Sequence, residues 1–193
     1  MTDRTADISR KTAETDIALR LDLAGGEINI NTGVGFFDHM LRSFAFHSGI
    51  GLTVTAVGDL EVDAHHTVED VGIVLGRALS EALGDRRGIA RFASTHVPMD
   101  EALAFSALDI SGRPYLVFDA AFHNAMIGGY ETCLTVEFMR AFAYNAGITL
   151  HLRLMYGDND HHATEALFKS LARSVRDAIK ITGDAVPSTK NVL

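Results

Sequence analysis

The sequence predicts an α+β fold made of two similar halves, each a sheet covered on one face by helices. Apolar residues alternate with a period of two in some stretches and recur at helical spacing in others. The same order of stretches occurs twice, and His65-His66 and His161-His162 open the last helix of each half. The halves are predicted to span residues 1–88 and 89–193 and to form one unit.

The chain is predicted to begin with a loose or surface-lying polar segment followed by two strands. Residues 17–23 alternate apolar leucine and isoleucine with polar or small side chains, which is the period of a half-buried strand. Residues 27–31 alternate again. Gly25-Gly26 between them is typical of a hairpin turn, so the second strand is predicted to return beside the first.

A helix, a strand and a second helix complete the first half. Apolar residues at helical spacing over 37–44 predict the first helix, which Gly49 ends. Residues 52–56 alternate as a strand. The helix that opens at His65 keeps apolar residues on one face and stops at Gly84, because glycine is preferred just past a helix.

The second half repeats the order strand, strand, helix, strand, helix. It has predicted strands at 103–107, 115–118 and 150–154, and helices at 134–142 and from His161 onward. A turn at 111–114 is predicted to return the strand at 115–118 beside the one before it. Gly49 matches Gly147 at an offset of 98 residues, and the two His pairs match at an offset of 96. This agreement of register indicates a duplication, with two residues of difference in one turn.

Composition excludes several classes of protein. The 193 residues are 47% hydrophobic, enough to bury a substantial core. The single cysteine, Cys133, cannot form an intrachain disulfide. The first residues show no apolar signal segment, and no apolar run approaches the roughly 20 residues that span a bilayer. With a net charge of −8, which disfavours nucleic acid, the expectation is a cytoplasmic protein that binds neither membrane nor nucleic acid.

The two His-His-x-x-Glu boxes predict a duplicated metal site. On the first turn of a helix, residues four apart share a face, so His65 lies beside Glu69 and His161 beside Glu165. Each pair can offer one nitrogen and one oxygen to a divalent cation. Such donors suit manganese, iron, zinc or cobalt, and the sequence does not choose among them.

The second histidine of each box points roughly 100° away from the first and can reach a second ion. In the resulting hypothesis, His162 joins the first box pair and His66 joins the second, so halves or neighbouring subunits must meet at the site. His39 is a further candidate ligand. Glu137 is its counterpart at the 98-residue offset, so the two sites would be similar but not identical.

Besides other metal-dependent enzymes, such a site is compatible with a two-metal phosphoester hydrolase or with a non-catalytic metal storage or scaffold protein. Lys169 follows Glu165 by four residues and therefore shares its helix face. A cation beside the donors has a use in binding an anionic substrate and none in storage. Release of inorganic phosphate would identify a hydrolase.

Six stretches of the chain match the motifs of one known family: residues 35–41 (GFFDHML), 64–70 (AHHTVED), 98–102 (PMDEA), 109–115 (DISGRPY), 161–166 (HHATEA) and 186–190 (VPSTK). Through them, from about Arg10 to Lys190, the chain resembles the imidazoleglycerol-phosphate dehydratases. The resemblance implies a lyase that converts D-erythro-imidazole-glycerol phosphate to imidazole-acetol phosphate and water in histidine biosynthesis. It also implies two manganese ions per active site and a homo-oligomer of 24 subunits with sites between subunits.

The resemblance also implies roles for residues of this chain. The implied metal ligands are His39, His65, His66, Glu69, Glu137, His161, His162 and Glu165; relatives also carry histidine where this chain has Glu137. The catalytic set adds the acid/base group Glu14 to His39, His65, Glu69, His161 and Glu165. The implied substrate contacts are Glu14, His47, Arg91, Arg113, Lys169, Ser188 and Lys190. In this chemistry the substrate's imidazole ring, held on metal as an imidazolate, expels the adjacent hydroxyl to form a diazafulvene.

Overall fold

Two four-stranded sheets, a short two-stranded ribbon and four helices form residues 4–190, the part of the chain described by this computed structural model. The predicted α+β class and the repeated order of elements are confirmed. No helix of the described part is long and apolar enough to cross a membrane. The boundary between halves at residue 88 stays a prediction.

The first half contains β1 (Thr5–Lys11), β2 (Thr15–Asp22), β3 (Ile28–Asn31), α1 (Gly35–Ser48), β4 (Gly51–Gly58) and α2 (His65–Leu83). Its sheet has the order β1-β2-β4-β3. The predicted hairpin at Gly25-Gly26 is therefore wrong, because β4 lies between β2 and β3 and pairs in parallel with β3. Parallel neighbours need a long crossover, which α1 supplies; alternation and turn glycines alone fit both arrangements.

The second half contains β5 (Phe92–Met99), β6 (Ala102–Asp109), β7 (Tyr115–Asp119), the ribbon strands β8 (Met126–Ile127) and β9 (Tyr130–Glu131), α3 (Leu134–Ala146), β10 (Thr149–Tyr156) and α4 (Asp160–Ala178). Its sheet order, β5-β6-β10-β7, repeats the first topology, with β7 and β10 parallel. The predicted return of 115–118 beside β6 is therefore also wrong, because β10 lies between β6 and β7. The ribbon has no counterpart among the described residues of the first half.

Apart from the ribbon, each half has one strand more in its sheet than the predicted strand, strand, helix, strand, helix. The additional strands, β1 and β5, lie at the sheet edges. Only Ala6 of β1 and only Val97 of β5 are buried, so neither strand shows the apolar alternation that reveals a strand in sequence. The segment expected to be loose at the N-terminus is thus partly an edge strand.

The helices lie between the sheets and pair across the halves: α1 packs against α4, and α2 against α3. Aromatic contacts also connect one helix pair to the other: the ring centroids of Phe44 on α1 and Phe142 on α3 are 5.9 Å apart. Glycines on α2 allow a close approach to α3. A Cβ on Gly76 would lie 2.6 Å from the carbonyl oxygen of Phe142, and one on Gly72 would lie 2.9 Å from that of Phe138. This cross-half pairing brings donors from both halves together.

Candidate metal centre

Three predicted donors meet where α1 packs against α4. His39 Nε2 and His161 Nε2 each lie 3.4 Å from Oε2 of Glu165. Across residues 4–190, this is the one group of three ligand-type side chains whose donor atoms all lie within 4.8 Å of one another. His39 belongs to the first half and the other two donors to the second. The group therefore depends on the packing of helices from different halves.

The spacing of these donors fits a single divalent cation. Two donors held about 2.1 Å from one ion at a tetrahedral angle lie about 3.4 Å apart. Both His–Glu distances have this value. Two imidazoles and one carboxylate suit a first-row transition metal, and three protein donors leave coordination positions open, as in catalytic sites.

Glu165 is the most buried of the three donors, with 9% of its side chain exposed. Burial acts to raise its pKa, but Lys169, whose Nζ lies 2.7 Å from Oε1, together with His39 outweighs burial and lowers the pKa of Glu165 below its usual range. The carboxylate is therefore ionised at neutral pH, the state that metal binding requires. The predicted shared face of Glu165 and Lys169 is present in the structure.

Residues of α1 frame this centre. The ring of Phe36 lies edge-on to His161, with centroids 5.0 Å apart, and 6.4 Å from the ring of His39. His47 lies half-buried in the last turn of α1. Burial, and then the positive charges of Lys169 and Arg173, lower the pKa of His47. Its predicted role as a substrate contact stays a prediction.

The equivalent donors of the other helix pair are not assembled. His65 Nε2 and Glu69 Oε2 share a face of α2, as predicted, at 3.9 Å. Glu137, the counterpart of His39 on α3, forms an ion pair with Arg140. His65, Glu69 and Glu137 do not form a cluster of mutually close donor atoms anywhere in the described chain.

The second histidine of the first box points to a different set of acids. His66 Nδ1 is hydrogen-bonded to Asp59 Oδ2 at 3.0 Å, and its Nε2 lies 3.8 Å from Oε1 of Glu14. The bond to Asp59 is the main cause that raises the pKa of His66. Glu14 lies in the turn between β1 and β2, where Thr12 Oγ1 accepts from its backbone N–H.

The second box repeats this arrangement with other residues. His162 Nδ1 is hydrogen-bonded to Glu101 Oε2 at 2.7 Å, and its Nε2 lies 3.8 Å from Oδ2 of Asp100. The bond from His162 is the main cause that lowers the pKa of Glu101 to about 2. Asn159 caps α4 by accepting from the backbone N–H groups of His161 and His162.

Within one chain, the crossed pairing proposed from the sequence is not formed. His66 does not join His161 and Glu165, and His162 does not join His65 and Glu69. His39 takes the place beside the second box instead. The pairing between neighbouring copies stays a prediction. Sequence reasoning missed Asp59, Glu101 and Phe36, although 98–102 and 35–41 belong to the motifs that carried the resemblance.

The predicted phosphate contacts lie on separate elements. Arg91 donates to both carboxylate oxygens of Asp109, at 2.7 and 3.1 Å, and to the carbonyl of Pro187 at 2.7 Å. Arg113 is exposed in the turn before β7. Ser188 and Lys190 follow Pro187 in the C-terminal segment, where Ser188 Oγ accepts from the backbone N–H of Lys190 at 3.2 Å.

Two open clefts adjoin the second histidines. One, of about 590 Å³, is lined by the β1–β2 turn with Glu14 and by Thr55, Val57 and Asp59. The other, of about 440 Å³, lies beside His162 and is lined by Glu101, Asn124 and residues 158–160. Both clefts are rich in carboxylates and lie at equivalent positions of the two halves.

The fold and the centre define the class first: a duplicated α+β protein whose histidine and carboxylate donors meet between its halves. Comparison with known proteins gives the family. The family model for imidazoleglycerol-phosphate dehydratase matches residues 32–175. Two curated relatives with that name, from Acetivibrio thermocellus and Methylorubrum extorquens, are each 56% identical over 99% and 98% of this chain and over their full lengths.

Solved structures agree with this result. The Staphylococcus aureus imidazoleglycerol-phosphate dehydratase superposes with a TM-score of 0.85 at 40% identity, over 92% of this chain and 99% of that one. The Pyrococcus furiosus dehydratase gives a TM-score of 0.85 at 38% identity, over 96% and 100%. The chain belongs to the imidazoleglycerol-phosphate dehydratase family. It is accordingly a dehydratase of histidine biosynthesis, a carbon–oxygen lyase.

Proposed function

We propose that this chain removes water from D-erythro-imidazole-glycerol phosphate to give imidazole-acetol phosphate, and that it does so with two manganese ions per active site. The observation that carries the metal dependence is the convergence of His39, His161 and Glu165 at coordination spacing. Membership of the family carries the substrate.

The remaining metal donors are His65, His66, Glu69, Glu137 and His162. His65 and Glu69 already share a helix face, and the bonds of His66 and His162 to carboxylates leave their Nε2 atoms free to bind. When bound, manganese supplies a Lewis acid and a template for the imidazole ring of the substrate. The protein's task is then to orient that ring and to move protons.

Glu14 is the proposed acid/base group. The reaction breaks one C–O bond and one C–H bond, releases water, and leaves an enol that becomes the ketone. A carboxylate can take the carbon-bound proton, and general acid–base help of this kind contributes about 10²- to 10⁴-fold. Glu14 suits this role because it is exposed in a cleft and its Oε1 lies 3.8 Å from His66 Nε2.

The proposed phosphate contacts are Arg91, Arg113, Lys169, Ser188 and Lys190, and His47 is a further proposed substrate contact. Lys169 has the clearest support, because it already contacts the donor Glu165. Arg91 has a carboxylate partner and holds the C-terminal segment, so it can bring Ser188 and Lys190 towards the same phosphate.

A homo-oligomer of 24 subunits with shared active sites is part of the proposal. The outer face of the second sheet supports self-association, because Phe92, Tyr115 and Met155 are 60%, 58% and 47% exposed there. The outer face of the first sheet carries charged side chains such as Asp7, Arg20 and Lys11, and that of the second also carries the Arg153–Asp119 ion pair. Light scattering of the purified protein measures the assembly size. Cytoplasmic location and the absence of nucleic acid and membrane partners stay predictions.

The decisive experiment incubates metal-free and manganese-loaded protein with imidazole-glycerol phosphate and follows the ketone product. Product only in the loaded sample supports the proposal. Absence of product from folded, loaded protein contradicts it, and release of inorganic phosphate instead of the ketone identifies a hydrolase.

Glu14→Gln tests the acid/base assignment. We expect turnover to fall about 10²- to 10⁴-fold with metal content unchanged. Asp7→Asn, which removes an exposed acid on the outer sheet face, is the matched control. A Glu14→Gln protein that keeps both metal and full turnover would show that another group moves the proton.

A further inference from the structure

Two carboxylates hold the second histidines of the boxes. Asp59 Oδ2 lies 3.0 Å from His66 Nδ1, and Glu101 Oε2 lies 2.7 Å from His162 Nδ1. Neither acid belongs to the helix that carries its histidine: Asp59 follows β4, and Glu101 lies in the turn between β5 and β6. We propose that Asp59 and Glu101 are positioning residues that fix the tautomer and ring orientation of His66 and His162 for metal binding.

The chemistry of the contact sets the direction of the hydrogen bond. An ionised carboxylate only accepts, so the proton of a neutral imidazole must be on Nδ1. The lone pair is then on Nε2, which points towards the cleft acids Glu14 or Asp100. Metal-ligating histidines commonly donate their other N–H to a carboxylate, which fixes the ring and makes the ligating nitrogen more basic.

Asp59 serves this one side-chain contact. Its Oδ1 is buried and has no hydrogen-bond partner within residues 4–190, so the carboxylate satisfies no other side chain. The side chain of Asp59 therefore acts on His66 and on no other side chain of the described residues. Its backbone N–H also donates to the carbonyl of Glu14, which ties the ring and the proposed acid/base group to one segment.

Glu101 serves the same purpose from a different place. Its Oε1 accepts from the backbone N–H of Asn159, the N-cap of α4, while Oε2 contacts His162. The ring is thus fixed relative to the start of its own helix.

The two acids do not correspond by duplication. Asp59 directly follows β4, where the offset between the halves is 98 residues, and that offset leads to Gly157, which has no carboxylate. Two unrelated positions therefore supply the same bond to the same atom of equivalent histidines. A shared requirement of the two sites explains this better than inheritance from a common half.

The inference rests on the proposed metal dependence, and a metal titration separates the two. Metal-free protein is titrated with manganese, and the electron paramagnetic resonance signal of the free ion gives the affinity. Asp59→Ala and Glu101→Ala are each expected to lose about 10- to 100-fold in affinity. Asp59→Asn and Glu101→Gln should lose less, because an amide oxygen still accepts from Nδ1–H. Asp7→Ala and Glu81→Ala, exposed acids away from the boxes, are the matched controls.

A double-mutant cycle excludes a merely structural role. In a His66→Ala background, Asp59→Ala should cause no further loss of affinity, because its effect passes through that ring. Melting temperatures of the metal-free variants report folding separately. Alanine variants that bind manganese like the unsubstituted chain, additive losses in the cycle, or equal losses in the alanine and amide variants would each overturn the inference. If the unsubstituted chain binds no manganese, iron, zinc or cobalt, the proposed metal dependence fails, and this inference falls with it.

Discussion

The two cross-half helix pairs have equivalent residues but different degrees of organisation. At the α1–α4 pair, His39, His161 and Glu165 converge at coordination spacing. At the α2–α3 pair, His65 and Glu69 are 3.9 Å apart and the third donor of the set is turned away. Duplication of the sequence therefore did not produce two equal centres in the folded chain.

Neighbouring charges explain the difference. Glu165 is fixed by Lys169 one turn along α4, whereas the matching position on α2 is Ile73, which offers Glu69 no charge. On α3, Arg140 pairs with Glu137, the counterpart of His39. Folding alone therefore brings one donor set together. Under the proposed function, the other set assembles on an ion, a substrate or a neighbouring copy.

Substitution of the acid in each set tests this contrast most strongly. We expect the His39–His161–Glu165 set to bind manganese more tightly than the other donor set. Glu165→Gln should lower the manganese affinity of this set at least about 100-fold, because even a residue that only hydrogen-bonds to a ligand contributes about 10- to 100-fold. Glu69→Gln should weaken only the looser manganese-binding event, at the set that contains His65 and Glu69. Titration of the metal-free proteins with manganese measures both. If Glu69→Gln removed the tighter event, the ranking of the two sets would be wrong.

The next largest effect is expected from a substitution that forces α2 and α3 apart. Gly76→Ala places a Cβ against the backbone of Phe142, and such overpacking costs about 1–3 kcal/mol, more than the roughly 1 kcal/mol that the helix propensity of alanine returns. Denaturant unfolding of the metal-free protein should show the net loss. Gly35→Ala on α1, where a Cβ meets no neighbour within 4 Å, is the control and should not destabilise. Equal effects would mean that α2 and α3 can separate without loss.

Loss of the ion pair between Lys169 and Glu165 is expected to lower the stability by a smaller amount. Lys169→Met leaves a mostly buried carboxylate without its cation, so the metal-free protein should lose about 1–2 kcal/mol of unfolding free energy. Lys180→Met breaks an exposed pair with Asp177 and should cost at most about 0.5 kcal/mol. A smaller loss at Lys169 than at Lys180 would contradict the idea that Lys169 organises the centre.

The sequence predicted the helices and the boxes because those features are local. Apolar residues recur at helical spacing, and each box places His and Glu one turn apart whatever surrounds it. The edge strands β1 and β5 lacked that signal, since each buries one residue. Strand order was also out of reach, because the alternation of β3 does not say whether it pairs with β2 or β4.

The site was predictable as a set of residue types and only partly as a set of contacts. His39 was found because a matching offset and a family motif both pointed to it. The partners of the second histidines were not found: Asp59 is seven residues from His66, and Glu101 is 61 residues from His162. Such contacts depend on how turns meet helices in three dimensions, which no periodicity records.

The smallest expected effect is that of substituting Arg140, which forms an ion pair with Glu137. An exposed pair of this spacing is worth about 0.2–0.5 kcal/mol, so Arg140→Gln should free Glu137 and raise the affinity of the looser manganese event about twofold. Arg42, its counterpart on α1, donates instead to the carbonyl of Ile30, so Arg42→Gln should leave metal affinity unchanged. If Arg140→Gln lowered the affinity, the arginine would be a support of the second donor set rather than a competitor. The two helix pairs would then differ less than their present contacts indicate.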